Sequence, residues 1–149
     1  INEFFISGDI DELKKCVNEM ETPFYLHEFV KQIISKSLDK TNKERELTSK
    51  FLSNSVGNNN KNFVISRESF ELGFSILLSR VEDLYKDVPD IITLLSKYLG
   101  RSISDEIISP SYLDNVLILE TDMGYNVIKK TKLLLKNNKL KGILFDNIW

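Results

Sequence analysis

Apolar residues recur at helical spacing along most of the chain. Ile10, Leu13, Val17 and Met20 line one face of a helix. Asp9 precedes that run with Glu12 three residues later, the spacing of a capping box. Ser7-Gly8 can end a helix, so Phe4 and Phe5 are expected to close an earlier one whose start is missing from the sequence. Pro23 breaks the pattern and opens a second run, in which Leu26, Phe29, Val30, Ile33, Ile34 and Leu38 form the stripe. Leu47, Phe51, Leu52 and Val56 give a third helix, stopped by Gly57 and the polar loop GNNNKN. Ser66 can cap one long helix carrying Phe70, Phe74, Leu77, Leu78, Val81 and Leu84. Ile92, Leu95, Tyr98 and Leu99 make the next, and Val127, Ile128, Thr131, Leu134 and Leu135 a last one with a lysine-rich face.

Strand signals are scarce, because FVI at 63–65 and VLIL at 116–119 are short and lack alternating partners. The breaks between helices are short, which makes sequential helices antiparallel neighbours. No heptad is sustained, so a coiled coil is disfavoured. The pattern therefore predicts an all-α fold of about seven helices, stacked as antiparallel pairs in the manner of helical repeats. Ser109-Pro110-Ser111 punctuates the end of this body. We divide the chain there into a helical domain, 1–110, and a C-terminal extension, 111–149. Ile143, Leu144, Phe145, Ile148 and Trp149 are too apolar for a free tail, so this segment is expected to fold back or to meet a neighbouring domain.

Composition adds limits. With 149 residues, 42% hydrophobic and 28% charged, the chain can bury a core without disulfides or metals. No apolar run reaches the roughly 20 residues that span a bilayer, so no membrane partner is expected. The first residue is Ile1 rather than methionine, so the chain is read as a fragment of something longer. The net charge of −2 is uneven: residues 1–110 carry 14 basic and 18 acidic side chains, residues 111–149 carry 6 and 4. An acidic body with a small basic tail is not the concentrated basic face of a dedicated nucleic-acid binder.

Chemistry-bearing residues are sparse. His27 is the single histidine, which excludes a Cys2His2 finger or a His-rich zinc site, and no metal or cofactor is expected. Cys16 is the single cysteine and falls at apolar helical spacing, so it is read as a small buried hydrophobe in a reducing compartment. A Cys16–His27 nucleophile pair remains formally open, although packing on neighbouring amphipathic helices explains both. The six glycines are isolated and cradle no phosphate. Gly73, inside a helical stripe, is expected at a close helix–helix contact. An enzyme reading has almost nothing to rest on. Lys129, Lys130, Lys132, Lys136, Lys139 and Lys141 offer either a solvated helix face or a weak RNA contact.

The stretch VEDLYKDVPDI at 81–91 breaks local rules. A long helix ending near Tyr85 puts Glu82 and Asp83 in its last turn, the wrong end of the dipole for an acid. Asp87 follows Asp83 by four residues, so the two carboxylates share a face if the helix continues and flank a tight corner if it does not. Val88 precedes Pro89 and is pushed out of the α region, so the next helix is expected to start at Pro89 with Val88 as its N-cap. The acids are either hydrated surface groups or a partner-docking corner.

The segments FISGDIDELKKC, TPFYLHEFVKQII, RELTSKFLSNSVG, ISRESFELGFSILLSRVEDLYKDVP and IITLLSKYLGRSISDEII, in that order, resemble the MI domain family, also written MA-3. The family occurs in a translation inhibitor and in the large scaffold subunit of the cap-binding initiation complex. RELTSKFLS looks most like the first of the inhibitor's two such domains, and the tail from Lys129 to Trp149 looks like the segment that follows it. The resemblance implies a HEAT-like α-α superhelix that binds the DEAD-box RNA helicase of translation initiation, initiation factor four-A, and inhibits its unwinding. It maps partner-binding acids onto Asp83 and Asp87, with Val88 and Pro89 beside them. Lys86 departs from the family pattern, which favours an apolar residue there. The resemblance further implies action in the cytoplasm, with the nucleus as a second compartment, and a second similar domain following in the full-length protein. A scaffold role without inhibition, or RNA binding through the C-terminal lysines, is the alternative.

Overall fold

The computed structural model describes residues 1–19, 26–56, 65–141 and 148–149. All regular secondary structure among these is helical: α1 (Asn2–Ser7), α2 (Ile10–Glu19), α3 (Leu26–Ser37), α4 (Asn42–Asn54), α5 (Arg67–Ser79), α6 (Val81–Asp87), α7 (Ile91–Ser104), α8 (Tyr112–Asn115) and α9 (Met123–Lys141). Pro23, the GNNNKN loop, Phe63, Val64 and the apolar residues 143–145 lie outside the described residues.

Local chemistry sets most of these boundaries. Gly8 closes α1 at φ 69°, a left-handed conformation that costs glycine nothing, and its N–H donates to the Phe4 carbonyl at 2.8 Å. Asp9 accepts from the Glu12 N–H at 3.0 Å at the start of α2. At α4 the Thr41 N–H donates to Glu44 at 3.0 Å, completing a capping box that the apolar pattern did not reveal. Ser66 caps α5 by accepting from the Ser69 N–H at 3.2 Å.

The expected long helix from Ser66 to Leu84 is instead two. It breaks at Arg80, whose backbone sits at φ −113°, ψ 13°. Ser79 donates its hydroxyl to the Ile76 carbonyl at 2.6 Å, a back-bond that bends helices. The apolar stripe continues through the break, since Leu77, Leu78 and Val81 are all buried, so periodicity could not register it. A further short helix, α8, forms after Pro110, where only punctuation was expected.

Packing follows a HEAT-like stack. The most extensive contacts join α7 to α9 and α3 to α5, with α4 bridging α3 and α7. Val30, Ile33 and Ile34 of α3, Phe51 and Leu52 of α4, Phe70, Phe74 and Leu77 of α5, and Leu95 and Leu99 of α7 are fully buried. Val127 and Ile128 of α9 belong to the same core, so the extension packs into the body. Gly73 lies where α5 meets α3: a Cβ there would come within 3.0 Å of the His27 carbonyl oxygen and of Val30 Cγ1.

Most buried polar groups among the described residues are paired, the Arg45 Nε–H being an exception. Tyr98 shares a hydrogen bond with Ser37, and burial raises its pKa well above the tyrosine range. Arg101, only 6% exposed, donates to Glu46 at 2.5 Å and to Asp105 at 3.4 Å, tying α4 to the end of α7. Burial opposes that charge, but the two carboxylates outweigh it and raise the arginine's pKa. Trp149 folds back as expected. Its ring lies 4.6 Å from that of Tyr98, and its Nε1–H donates to Ser49 Oγ at 2.9 Å.

Gly124 sits in the first turn of α9, and an added Cβ would stand 2.4 Å from the Leu78 backbone oxygen. Gly124→Ala is therefore expected to destabilise by about 1–3 kcal/mol, the usual range for overpacking, although alanine normally favours a helix over glycine by about 1 kcal/mol. Chemical denaturation checks this, with Asn126→Ala on an exposed position of the same helix remaining within about 0.5 kcal/mol of the parent.

Candidate functional site

The break at Arg80 changes the electrostatics of the acidic stretch. Glu82 and Asp83 occupy the first turn of α6, the end where the dipole favours acids, rather than the last turn of a longer helix. Asp87 is the last residue of α6 and remains at the unfavourable end. Because α6 runs unbroken through all of them, Asp83 and Asp87 lie about 40° apart around its axis and point the same way.

The three acids differ in what surrounds them. Glu82 is spent internally: its Oε1 accepts from the Met123 N–H at 2.8 Å, capping α9. That hydrogen bond holds its pKa below the ordinary value of 4.5. The Asp83 side chain is 82% exposed, and its contact is the exposed Lys86 ammonium at 3.8 Å. So long a pair on open surface holds neither group firmly. Asp87 is exposed, with no hydrogen bond or ion pair to the described residues.

The corner beneath them is held from inside. Val81 is fully buried, and Leu84 and Val88 pack against the core. Val88 is extended at φ −129°, ψ 91°, as the residue before a proline must be, and its N–H donates to the Leu84 carbonyl at 2.9 Å. Pro89 is exposed. The following helix starts two residues later than expected: α7 opens at Ile91 with Asp90, not Val88, in the N-cap position. The Ile91 N–H donates to the Val88 carbonyl at 3.1 Å, so Pro89 and Asp90 form a tight turn. Apolar periodicity did not flag Tyr85, which is 48% exposed on another side of α6.

The lysines of α9 are dispersed among internal contacts. Lys130 donates to Thr93 Oγ1 at 2.8 Å, Lys132 pairs with Asp114 at 2.9 Å, and the Lys129 ammonium lies 5.8 Å from the centre of the Tyr125 ring. Lys136 is exposed. Three of these lysines thus brace the helix against its own protein, while Lys129, Lys132 and Lys136 stay exposed.

Cys16 is exposed, against the expectation of burial; only Leu13, Lys14 and Val17 of α2 are buried. Its thiol is directed at Glu12 at 3.8 Å, and local desolvation with the Glu12 and Glu19 charges pushes its pKa up, which opposes thiolate formation. No hydrogen bond or ion pair joins it to His27 among the described residues. Nor does any group of three His, Cys, Asp or Glu among them have metal-binding spacing. No helix among the described residues is long and apolar enough to cross a membrane.

A family model described as MA3 domain matches residues 1–109. The chain belongs to the MA3 domain family. It is 32% identical over 130 residues to MA3 domain-containing translation regulatory factor 4 of Arabidopsis thaliana, covering 86% of this chain and 20% of that protein. It is 26% identical over 150 residues to programmed cell death protein 4 of Gallus gallus, covering 100% of this chain and 31% of the relative. Similarity to eukaryotic translation initiation factor 4G of Cucumis melo is 24% over 155 residues, covering 98% of this chain and 8% of that protein. The chain thus spans about a fifth of the plant regulatory factor and under a third of the avian protein. The MA3 match includes α1 to α7 and the whole acidic corner.

The cap by Glu82 gives this MA3 chain a specific acid response. A carboxylate whose folded pKa is depressed stabilises the fold above its unfolded value and loses that contribution as pH falls through the folded one. Glu28, beside Lys31, and Glu44, beside Thr41, are depressed as well. Unfolding free energy is expected to fall as pH drops below about 4.5, and Glu82→Gln is expected to flatten that slope while lowering stability at pH 7. Urea titrations at a series of pH values check both.

Proposed function

We propose that this chain is a protein–protein interaction module of translation regulation. In this reading it binds the DEAD-box helicase of translation initiation, initiation factor four-A, and inhibits its RNA unwinding. The observation that carries it is the pairing of Asp83 and Asp87 on one outward face of α6, both exposed, over a buried footing. Two such carboxylates suit charge-assisted hydrogen bonds from arginine or lysine on a partner. A corner stiffened by Pro89 reduces the ordering cost of binding. Val88 and Pro89 complete the contact. We assign docking to residues 1–110 and a bracing role to 111–149, which supplies α9 as the footing of Glu82. The names of the two plant relatives support a role in translation, and the surface they would use is the proposed part.

Removing one partner of a desolvated charge pair typically costs about 2–5 kcal/mol. The double variant Asp83→Ala with Asp87→Ala is therefore expected to lose at least tenfold in affinity for the helicase, measured by calorimetry, with unchanged unfolding. Undiminished binding removes the corner from the interface. Binding that leaves unwinding intact identifies a scaffold instead of an inhibitor. Lys86 screens the corner, so Lys86→Ala is expected to tighten binding about two- to fivefold, an effect that shrinks as salt is raised.

A further inference from the structure

A cleft of about 590 Å³ opens between α5, α8 and the segment that follows α8. Its charged lining among the described residues is acidic throughout: Glu68, Glu71, Glu82 and Asp122, with no lysine or arginine. Glu82 is committed to the Met123 N–H, which leaves three carboxylates for a visitor. The apolar part of the wall includes side chains that a closed surface would cover: Leu72 is 47% exposed and Leu117 is 99% exposed.

The segment from Val116 to Leu119 explains that exposure. It alternates, with Val116 and Ile118 packed against the core and Leu117 and Leu119 turned outward. This is the period of a strand, but no strand partner lies beside it among the described residues. The N–H groups of Leu117, Ile118 and Leu119 have no protein acceptor among those residues. An extended edge therefore borders a pocket with an apolar wall and a carboxylate rim.

We propose that this cleft receives an extended basic peptide segment from a partner protein, one bulky apolar side chain entering beside Leu72 and Leu117 while flanking lysines or arginines meet Glu68, Glu71 and Asp122. Edge pairing would supply main-chain hydrogen bonds, and the pocket and rim would select side chains. The charge of the rim argues against an anionic occupant such as RNA. The proposal is distinct from the acidic corner: the residues it uses for binding lie on α5 and on the segment between α8 and α9, and Glu82 of α6, which also lines the cleft, is committed to Met123.

The test uses two fluorescein-labelled synthetic peptides, one alternating lysine with leucine and one alternating glutamate with leucine, followed by anisotropy with the whole chain. The lysine peptide is expected to bind at least tenfold tighter, and to lose at least tenfold with Leu72→Ser plus Leu117→Ser, both exposed positions. The charge reversal Glu68→Lys plus Glu71→Lys is expected to invert the preference. Asp83→Ala plus Asp87→Ala is expected to leave lysine-peptide affinity within twofold, which separates failure here from failure of the helicase reading. Equal affinity for the two peptides, or indifference to the charge reversal, overturns the proposal. So does sedimentation of the free chain as a dimer that the charge reversal dissolves, which would assign the cleft to a second copy.

Discussion

The hydrogen bond from the Met123 N–H to Glu82 does two jobs at once. It satisfies a donor at the start of α9 that no intrahelical carbonyl can reach, and it fixes the first turn of α6 against the C-terminal extension. Gly124 lets α9 approach the Leu78 carbonyl close enough for that bond to form. Val81 anchors another side of α6 in the core. A helix of only seven residues would not hold together alone in water. Fastened at Glu82, Val81, Leu84 and Val88, it becomes a rigid mount for two exposed carboxylates.

The arrangement separates acids by task. Glu82, one residue from Asp83, is exposed but committed to the Met123 N–H, whereas Asp83 and Asp87 are left to water and to the loose Lys86 pair. Helical geometry makes the separation possible, since adjacent residues differ by about 100° in direction and residues four apart by about 40°. The same corner can thus contribute to stability through one acid and offer charge to a partner through the others. Asp87 at the end of α6 is locally unfavourable, which fits a position retained for recognition rather than for folding.

The α7–α9 seam shows how the extension earns its place in the core. Val127 and Thr131 are fully buried, the Ser96 hydroxyl donates to the Ile92 carbonyl at 2.6 Å and lies 3.3 Å from the Val127 carbonyl, and Thr131 back-bonds to that second carbonyl at 2.8 Å. Small residues on both helices permit this approach. Farther along α7, Tyr98 reaches Ser37 on one side and the Trp149 ring on the other, so distant parts of the chain share one packed layer.

Periodicity made the helices legible because core-facing stripes must recur every three to four residues, and all seven expected helices have counterparts among the described elements. Gly8, Asp9 and Ser66 marked boundaries because their chemistry acts within one turn. Asp83 and Asp87 were legible as candidates because local rules and the family resemblance met on them. Other features depended on contacts the linear pattern does not carry. The bend at Arg80 leaves the stripe in phase, the N-cap at Asp90 reflects the turn through Pro89, and Cys16 turns outward although its spacing is apolar. Sequence by itself settled the helical class and nominated the acidic pair, since both depend on neighbours within a few residues. Which acid caps α9, which is left free for a partner, and where Leu117 lacks a cover were decided by tertiary packing, because each depends on residues some 40 positions away meeting in space.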